Sequence, residues 1–321
     1  MDWIAFDYFI DSNKRVFYLY LLSSMLITIV YLYNNRKQKR VLLSSKLWLH
    51  ESAKLDYVYF VVNIYIKALL ILPLVVGAKE ITFFVYKELM AIFGYASFDL
   101  SYGLVVTLYT LSIFIFSDFT RYWVHRLLHS IPILWEFHKV HHSAKVLTPF
   151  TFYRVHPIEN LLFGFRYSIT VGVITGIFFY CFGAVLDFYT ILGVNVVVFA
   201  FNLLGSNLRH THVKLKYFTF LETILVSPYM HQIHHSTKYF DKNYGGYLAI
   251  WDYWFKSLKK SHEVEVMKFG LNKEQMKAYT TVLQLLFTPL NNIINKRGII
   301  EKIKIYSTAF LSSVKFGLCR R

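Results

Sequence analysis

Long apolar runs alternate with polar segments along the chain, and this alternation is its dominant pattern. A helix needs about 20 residues to cross a bilayer, and five runs reach or approach that length. They cover approximately residues 16–33, 57–77, 100–117, 161–182 and 184–206. A sixth stretch, 81–95, carries Lys87 and Glu88 and predicts an interfacial or re-entrant helix, with a complete span as the alternative. The pattern predicts a helical protein embedded in a membrane.

The composition supports this prediction. Hydrophobic residues make up 55% of the chain, and the mean hydropathy is +0.40. The N-terminal segment places acidic residues before basic ones and is followed by no small-residue cleavage site, so we do not expect a signal peptide. The two cysteines, Cys181 and Cys319, are too few for a disulfide framework. Most of the apolar surface is therefore expected to face lipid.

The net charge of +16 prompts the idea of nucleic-acid binding, but the distribution of the charge favours a topology signal. The loop after the first run is rich in Lys and Arg, so the positive-inside rule places it in the cytosol and the N-terminus outside. Everything after Ser206 is then cytosolic. Lys67 and Arg166 fall within spans, where they are expected to snorkel or to face the bundle interior. The basic residues left outside are Lys14, Arg15, Lys79 and Lys87.

Histidines are concentrated in one part of the chain: eleven of the thirteen lie between residues 125 and 235, all on the predicted cytosolic side. The segment DFTRYWVHRLLH (118–129) separates two histidines by four residues, so they share one face of a helix. The hexapeptides HKVHHS (138–143) and HQIHHS (231–236) are nearly identical, and each follows a proline that favours a helix start. The three clusters contribute His125 and His129; His138, His141 and His142; and His231, His234 and His235.

Further polar residues flank these clusters. Asp118 lies two helical turns before His125 and is expected to accept a hydrogen bond from an imidazole N–H, which would fix the tautomer. The segment LRHTH adds His210 and His212 as candidates. In YRVHPIEN, His156 is open to three interpretations: a metal ligand, a residue that orients a ligand, or a structural turn residue.

Eight imidazoles in three clusters are too many for one metal ion and about right for two. Neutral imidazoles suit iron, zinc, copper and nickel. The sequence has no HExxH, GxGxxG or Walker motif, so neither a zinc protease nor a nucleotide site is expected. A metal transporter usually places its ligands at mid-membrane. The predicted spans of this chain hold almost no metal-binding groups, so transport is disfavoured. A metal-binding membrane protein or metal transporter without oxygenase activity stays the alternative.

The order HxxxH, HxxHH, HxxHH between apolar hairpins resembles the membrane fatty acid hydroxylase / sterol desaturase superfamily, over roughly Ser117 to Leu258. The segments RVHPIEN and NYGGYLAIWDYWF (243–255) are similar to further blocks of that family. The resemblance implies a non-haem di-iron oxygenase, with zinc able to substitute in purified protein. It also implies that dioxygen and two electrons are used to hydroxylate or desaturate an unactivated C–H bond of a lipid.

The resemblance carries a ligand set. The eight histidines of the three clusters are implied as ligands, with His210 or His212 as a ninth. Some family members have HxxxH in this region, whereas position 216 is Lys here. The ligands around the second metal are therefore open, and the full candidate set is His125, His129, His138, His141, His142, His210, His212, His231, His234 and His235, with His156 as an addition.

We therefore expect an all-α integral membrane protein, in which transmembrane helical hairpins carry a cytosolic helical cap that holds the histidine-rich di-metal site. Residues 1–98 would form N-terminal transmembrane and interfacial helices, 99–258 the catalytic domain, and 259–321 a basic cytosolic tail. Electrons would come from a separate donor protein, of b-type cytochrome or ferredoxin/flavin reductase type. A cluster in the tail is a candidate docking site for an acidic donor, or else a solvated charge run: Lys256, Lys259 and Lys260.

The lipid substrate stays open among sterols, fatty acyl chains, sphingoid bases, ether lipids and carotenoids. Hydroxylation is favoured over desaturation, because many branches of the superfamily hydroxylate.

Overall fold

The computed structural model describes residues 4–72, 77–183, 187, 189–191 and 193–295. These residues are mostly helical. The α-helices are α1 (Ile4–Ile10), α2 (Tyr18–Asn34), α3 (Arg36–Leu42), α4 (Ser45–Trp48), α5 (Glu51–Ile66), α6 (Ala78–Phe93), α7 (Tyr102–Ser130), α8 (Pro132–His142), α9 (Pro157–Phe182), α10 (Val196–Leu203), α11 (Pro228–His234), α12 (Ile250–Trp254), α13 (Lys273–Met276) and α14 (Val282–Asn295).

Shorter elements connect these helices. A π-helical turn, Lys67–Ile71, extends α5. Single 3₁₀ turns cover Pro149–Tyr153, Ser206–His210, Leu221–Thr223 and Ser261–Glu263. Strands β1 (Thr190–Ile191) and β2 (Val194–Asn195) form a minimal antiparallel hairpin, with Thr190 opposite Asn195.

An antiparallel pair of long helices, α7 and α9, is the centre of the fold. Within the described residues these two are long and apolar enough to cross a membrane. They cover the predicted runs 100–117 and 161–182. Polar side chains join them at two levels: Tyr109 and Thr175 have oxygens 2.8 Å apart, and Thr120 and Thr170 have oxygens 2.9 Å apart. α7 continues well beyond its apolar run, so the end of the helix carries the first histidine pair.

Helix α6 packs along the second half of α9 and runs in the same direction. Gly172 of α9 faces Ala78 and Ile81, and Gly176, one turn later, faces Thr82 and Val85. An ideal Cβ on Gly176 would lie 2.7 Å from Cβ of Val85. The absence of side chains at this GxxxG step lets the two backbones approach closely. The stretch predicted as interfacial or re-entrant therefore packs along α9.

The predicted fifth span, 184–206, is wrong as a continuous helix. Gly193 has a φ of +75° and turns the chain between β1 and β2. The Asn195 side chain then accepts a hydrogen bond from the backbone N–H of Val197 and starts α10, which has only eight residues. Hydropathy records the apolar content of this stretch but not the two backbone breaks.

The predicted placement of Arg15 opposite the histidines is also wrong. Its guanidinium donates to Oδ1 of Asn202 at 2.6 Å, to Oγ of Ser206 at 2.5 Å and to the hydroxyl of Tyr247 at 3.1 Å. The predicted topology makes everything after Ser206 cytosolic, and residues in direct contact cannot occupy opposite faces. The buried partners of Arg15 determine its position, which the number of Lys and Arg residues in the loops therefore does not predict.

Part of the predicted tail packs against the histidine-bearing region. In α14, Asn292 donates to Oε2 of Glu136 in α8 at 2.9 Å. The carbonyl of Leu286 accepts from Nε2 of His156 at 3.0 Å. Helix α14 therefore packs against α8 and the start of α9, and residues 296–321 lie outside the described range.

Candidate metal centre

Two short helices present the repeated HxxHH segments. α8 begins with Pro132 at its first position, and α11 begins with Pro228 there. The Ser227 side chain caps α11 by accepting from the backbone N–H of Met230 at 3.3 Å. Because a proline at the start of a helix lacks only an N–H that would be unpaired anyway, each segment can start a helix abruptly. Each repeat thus forms a short rigid platform for three imidazoles.

Nine histidines converge into two groups, and within each group the candidate ligand atoms all lie within 4.8 Å of one another. Centre A consists of His125, His129, His138, His142 and His234. Centre B consists of His141, His210, His231 and His235.

The two HxxHH repeats serve the two centres in opposite ways. In α8 the i, i+4 pair, His138 and His142, belongs to centre A, and His141 points to centre B. In α11 the i, i+4 pair, His231 and His235, belongs to centre B, and His234 points to centre A. Each repeat therefore bridges both centres. This exchange explains why nearly the same hexapeptide occurs twice.

The spacing in centre B fits a single ion. Nε2 of His210 lies 3.3 Å from Nε2 of His141, and 3.1 Å from Nε2 of both His231 and His235. Two nitrogens each about 2.1 Å from one ion would be about 3.0 Å apart at a right angle and about 3.4 Å apart at the tetrahedral angle. Four buried ring nitrogens this close together cannot all be hydrogen-bonded to one another. Their arrangement matches the ligands of one metal ion.

Centre A fits an ion through its unpaired nitrogens. Nε2 of His142, Nε2 of His234 and both ring nitrogens of His129 are buried without a hydrogen-bond partner. Buried polar atoms normally find a partner, so these orphaned atoms need an explanation. Nε2 of His125 and Nε2 of His138 lie 3.2 Å apart, which again is a separation between two ligands of one ion.

Hydrogen bonds at Nδ1 orient three rings of centre A. His125 donates to the carbonyl of Tyr244 at 2.8 Å, and His234 donates to the carbonyl of Lys242 at 2.7 Å. His138 donates to Oε1 of Glu159 at 2.9 Å. A proton fixed at Nδ1 leaves the Nε2 lone pair for a metal, which is how outer partners tune metal-bound imidazoles.

The electrostatics favour the neutral, ligating form of these rings. Burial lowers the pKa of His141 to about 3. Burial and the neighbouring imidazoles together lower the pKa of His142 and of His235 well below the ordinary value. The same direction holds for the pKa of each of the remaining histidines on α8, the 206–210 turn and α11: His138, His210, His231 and His234. At pH 7 these nitrogens carry lone pairs and need not release protons to bind a metal.

Two candidates stand apart from both centres. Nε2 of His212 accepts from the backbone N–H of Leu147 at 3.1 Å, so of the pair His210 and His212 the structure brings only His210 into a centre. His156 is the N-cap of α9: its Nδ1 accepts from the backbone N–H of Ile158 at 3.1 Å. Of the three interpretations of His156, the structural turn residue is the one that its contacts match.

The predicted contact between Asp118 and an imidazole is wrong. Asp118 accepts from the backbone N–H groups of Tyr247 and Leu248 at 2.8 and 2.9 Å, and from the indole of Trp251 at 3.0 Å. Seven residues of helix separate Asp118 from His125 by about 10 Å, which is beyond the reach of one carboxylate. Asp118 instead fixes the 244–248 loop, whose Tyr244 carbonyl holds His125.

Sequence reasoning missed Glu159. The residue lies three positions after His156 in RVHPIEN, but no local rule links it to His138, which is 21 residues earlier on another helix. The available signal was the position of Glu159 in the first turn of α9, a helix that begins with a proline.

A cavity of about 250 Å³ opens onto both centres. His125 and His138 of centre A line it, as do His141, His210 and His231 of centre B. Apolar side chains such as Phe60, Ile64 and Phe163 line the rest of the cavity, together with Glu159 and the cationic Lys67, Arg121, Arg166 and Arg209. A molecule in this cavity would contact ligands of both metals.

Comparison with known proteins places this geometry in a family. Residues 110–257 match the family model described as fatty acid hydroxylase. The chain is 33% identical to human alkylglycerol monooxygenase over 180 residues, which is 56% of this chain and 36% of that protein. It is 28% identical to human lathosterol oxidase over half of this chain and 46% of that protein. It is 30% identical to the Delta(7)-sterol 5(6)-desaturase erg3B of Aspergillus fumigatus over 43% of this chain and 35% of that protein.

The chain spans less than half the length of these curated relatives, and no solved structure matches it. The fold and the site define a helical, histidine-rich domain. Residues 110–257 match the fatty acid hydroxylase model, and the resemblance to the fatty acid hydroxylase / sterol desaturase superfamily seen in the histidine clusters is confirmed.

Proposed function

We propose that the protein is a membrane-bound di-iron oxygenase that hydroxylates a C–H bond of a lipid. The observation that carries the proposal is the division of nine histidines, eight of them buried, into two adjacent centres that share one cavity. The relatives support a lipid as the substrate, because their names describe a monooxygenase of alkylglycerols, an oxidase of lathosterol and a desaturase of sterols.

Bound iron would supply dioxygen activation, which no amino-acid side chain provides. The nine histidines would hold two ions. For hydroxylation, the lipid C–H, dioxygen, two electrons and two protons give the alcohol and one water. For desaturation, two adjacent C–H groups with the same inputs give the alkene and two waters.

The chain's own residues bind and orient in this scheme. Glu159 and the carbonyls of Tyr244 and Lys242 fix ring orientations, so that Nε2 atoms point inward. The aromatic wall of the cavity, formed by Phe60 and Phe163 among others, excludes water from the reacting carbon. A dry, preorganised site is what control of a reactive oxidant requires.

We further propose that the protein crosses the membrane several times, with the histidine centres at the cytosolic face. Two apolar helices of spanning length support membrane embedding. The apolar end of the cavity, near Ile64 and Phe163, would admit a lipid from the bilayer.

A separate donor protein would deliver the electrons. Of the three lysines suggested for docking, Lys259 contacts Oε2 of Glu263 at 2.5 Å and Lys260 donates to the carbonyl of Thr219 at 3.0 Å. Neutralising all three by Gln substitution tests docking there: the rate with donor falls if they dock it, and an unchanged rate removes them from the interface.

The proposal is tested by mass spectrometry of lipids from cells grown under oxygen-18 gas. Cells that express the wild type are compared with cells that express His234→Ala, which removes a ligand of centre A, and with His262→Ala as the matched control. A lipid that gains one heavy oxygen with the wild type and the control, but not with His234→Ala, supports hydroxylation. Loss of two hydrogens without label makes the protein a desaturase. Label that persists in His234→Ala contradicts the assignment.

A further inference from the structure

Four arginines lie at the cavity and at a smaller space beside it, and they are called here the arginine cluster: Arg15, Arg121, Arg166 and Arg209. Arg121, Arg166 and Arg209 line the main cavity. A smaller adjoining space is lined by Arg15, Arg121 and Arg209 together with His210 and His231 of centre B. The cationic wall therefore lies directly beside the metal centres.

No carboxylate pairs with these guanidinium groups. Within the described residues, none of the four forms an ion pair, whereas Arg154 pairs with Asp56 at 2.9 Å. Arg15 donates to the neutral oxygens of Asn202, Ser206 and Tyr247, as described above. Arg166 donates to the carbonyl and hydroxyl of Ser117 at 2.8 and 3.2 Å and to the hydroxyl of Thr120 at 3.1 Å.

Arg209 and Arg121 have still fewer partners. Arg209 donates to the carbonyl of Gly246, and its Nε is buried without a hydrogen-bond partner. For Arg121, the described residues offer no hydrogen-bond acceptor, and its side chain remains partly exposed to the cavity that it lines.

The loop that contains Gly246 and Tyr247 packs against the arginine cluster. The guanidinium carbons of Arg15 and Arg209 each lie 5.3 Å from the centre of the Tyr247 ring. Next to it, Gly246 packs on Arg121, and an ideal Cβ there would lie 3.0 Å from Cδ of Arg121. The tight loop at 246–247 therefore positions three of the four arginines.

Two carboxylates lie near Arg121, but neither forms an ion pair with it, and their negative charges act on it only from a distance. Both oxygens of Asp118 accept from the 247–251 segment. Glu159 also lines the cavity, but its Oε1 is bonded to His138, and its Oε2 contacts no guanidinium. Since buried charges without an ion-pair partner are costly, the three arginines that line the main cavity indicate that an anion belongs there.

We propose that the arginine cluster binds an oxyanion, a carboxylate or phosphate, at the head of the lipid that the enzyme oxidises. The proposal rests on the proposed function, because it names the substrate class for the same site. Arginine suits this role, since its planar fork donates two parallel hydrogen bonds to a carboxylate or phosphate.

The dimensions of the cavity extend the proposal to the position of attack. A volume of about 250 Å³ lies below the usual range for pockets that enclose a drug-sized ligand, about 300–1,000 Å³. The cavity therefore holds the lipid head and the first carbons, while the rest of the chain extends past Phe60 and Ile64. His210 and His231 line the same space as the arginines. The carbon attacked is thus close to the oxyanion and not far along the chain.

The test measures binding and requires no turnover. Full-length, iron-loaded protein in a neutral detergent is equilibrated with tritiated hexadecanol, and unlabelled hexadecyl phosphate, hexadecanoate or hexadecanol displaces the tracer. Wild-type protein should show an at least tenfold preference for one of the anions over the alcohol, because charge-assisted hydrogen bonds discriminate by that order. Equal displacement by all three would overturn the proposal.

Arg121→Gln should reduce this preference to about twofold or less, while the affinity for hexadecanol itself is retained. Arg126→Gln is the matched control: it lies on the same helix and donates to Tyr122 and Phe255, away from the cavity. The control should keep the preference. Arg121→Lys, which keeps the charge and loses the fork, should give an intermediate value and shows that the fold survives at this position.

Two further outcomes are distinguishable. If inorganic phosphate removes the difference between wild type and Arg121→Gln at the same concentration as hexadecyl phosphate does, the cluster holds a free anion. The assignment to a lipid head is then wrong. Failure of oxygen-18 incorporation with an intact anion preference contradicts the oxygenase proposal alone. Incorporation without any anion preference contradicts the substrate proposal alone.

Discussion

The Nδ1–H of His138 donates to Oε1 of Glu159 across 2.9 Å and links α8 to α9 at the edge of centre A. Both side chains are buried, with exposed fractions of 2%. The bond holds the proton at Nδ1 and leaves Nε2 free for a metal. One carboxylate on the long helix α9 thus sets the direction of a ligand on the short helix α8.

Replacement of Glu159 by Ala should weaken metal binding at centre A. His138 would lose its orienting acceptor, and loss of such an outer partner typically costs 10–100-fold in metal affinity. The measurement is iron per chain as a function of free iron. Glu159→Gln keeps an acceptor oxygen without the charge and should lie between wild type and Ala. Wild-type affinity in Glu159→Ala would show that the bond does not matter for the metal.

His210 and His212 should differ sharply when each is replaced by Ala. His210→Ala removes one of four ligands of centre B and should lower the iron content from about two to about one per chain. His212→Ala removes only an acceptor for the Leu147 N–H, and should keep both metals with a loss of about 1 kcal/mol in stability. The reverse pattern by metal analysis would exchange their roles.

Asp118→Asn should destabilise the loop that supports His125. The new NH2 group would replace one of the two oxygens and would oppose either the backbone N–H of Tyr247 or the N–H groups of Leu248 and the Trp251 indole, and the expected loss is about 2–4 kcal/mol in the free energy of unfolding. Thermal unfolding in detergent measures it. Asp241→Asn, at an exposed site, is the control and should be close to neutral. Equal melting temperatures for the two variants would refute the supporting role.

Gly176→Ala should separate α6 from α9. The added methyl group would meet Val85 at a distance that real contacts do not reach, so the expected cost is about 1–3 kcal/mol. Gly103→Ala makes the same chemical change in α7, where nothing lies within 4 Å, and should be neutral or mildly stabilising because Ala favours helix. A melting comparison in which Gly176→Ala is no less stable than Gly103→Ala would contradict the close packing.

The metal-free protein should lose stability as the pH falls from about 7 towards 4. The unfolded chain has histidines with a pKa near 6.5, whereas burial lowers the pKa of His141 to about 3 and that of His212 to about 4. The unfolded state therefore binds more protons in this window, so stability rises with pH there. The buried carboxyl groups act in the opposite direction, because burial raises the pKa of Asp252 to about 6 and raises that of Asp56 as well, but the buried histidines outnumber them.

Melting temperatures of the metal-free protein at pH 7.5 and 5.5 test this. The value at pH 5.5 should be lower, and His212→Gln, which removes one buried histidine outside both centres, should shrink the difference. A melting temperature that does not fall on acidification would show that the buried imidazoles are not neutral.

The local parts of this site could be predicted from the sequence, because they depend on helical spacing. The i, i+3, i+4 pattern placed His138, His141 and His142 on one helix, and Pro132 and Pro228 indicated where α8 and α11 begin. The pattern could not show that the middle histidine of each repeat turns to the other centre. That division depends on how α8 and α11 face each other, which is a tertiary property.

The errors have the same origin. The number of helical turns between them pairs Asp118 with His125, whereas the partners of Asp118 lie about 130 residues away in the 247–251 segment. Hydropathy predicts a span over 184–206, because it does not register the turn at Gly193. The number of Lys and Arg residues in the loops places Arg15 outside, but its partners, Asn202, Ser206 and Tyr247, lie far away in the sequence. The predicted domain boundaries at 98/99 and 258/259 stay predictions.

The central claim, a dinuclear centre built from nine histidines, is tested most directly by iron analysis with Mössbauer spectroscopy of protein loaded anaerobically with iron-57. The account predicts two irons per chain in the wild type, and about one iron in both His129→Ala and His210→Ala, each variant retaining a different one of two spectral components. A wild-type protein that binds a single iron, or variants that lose the same component, would contradict it.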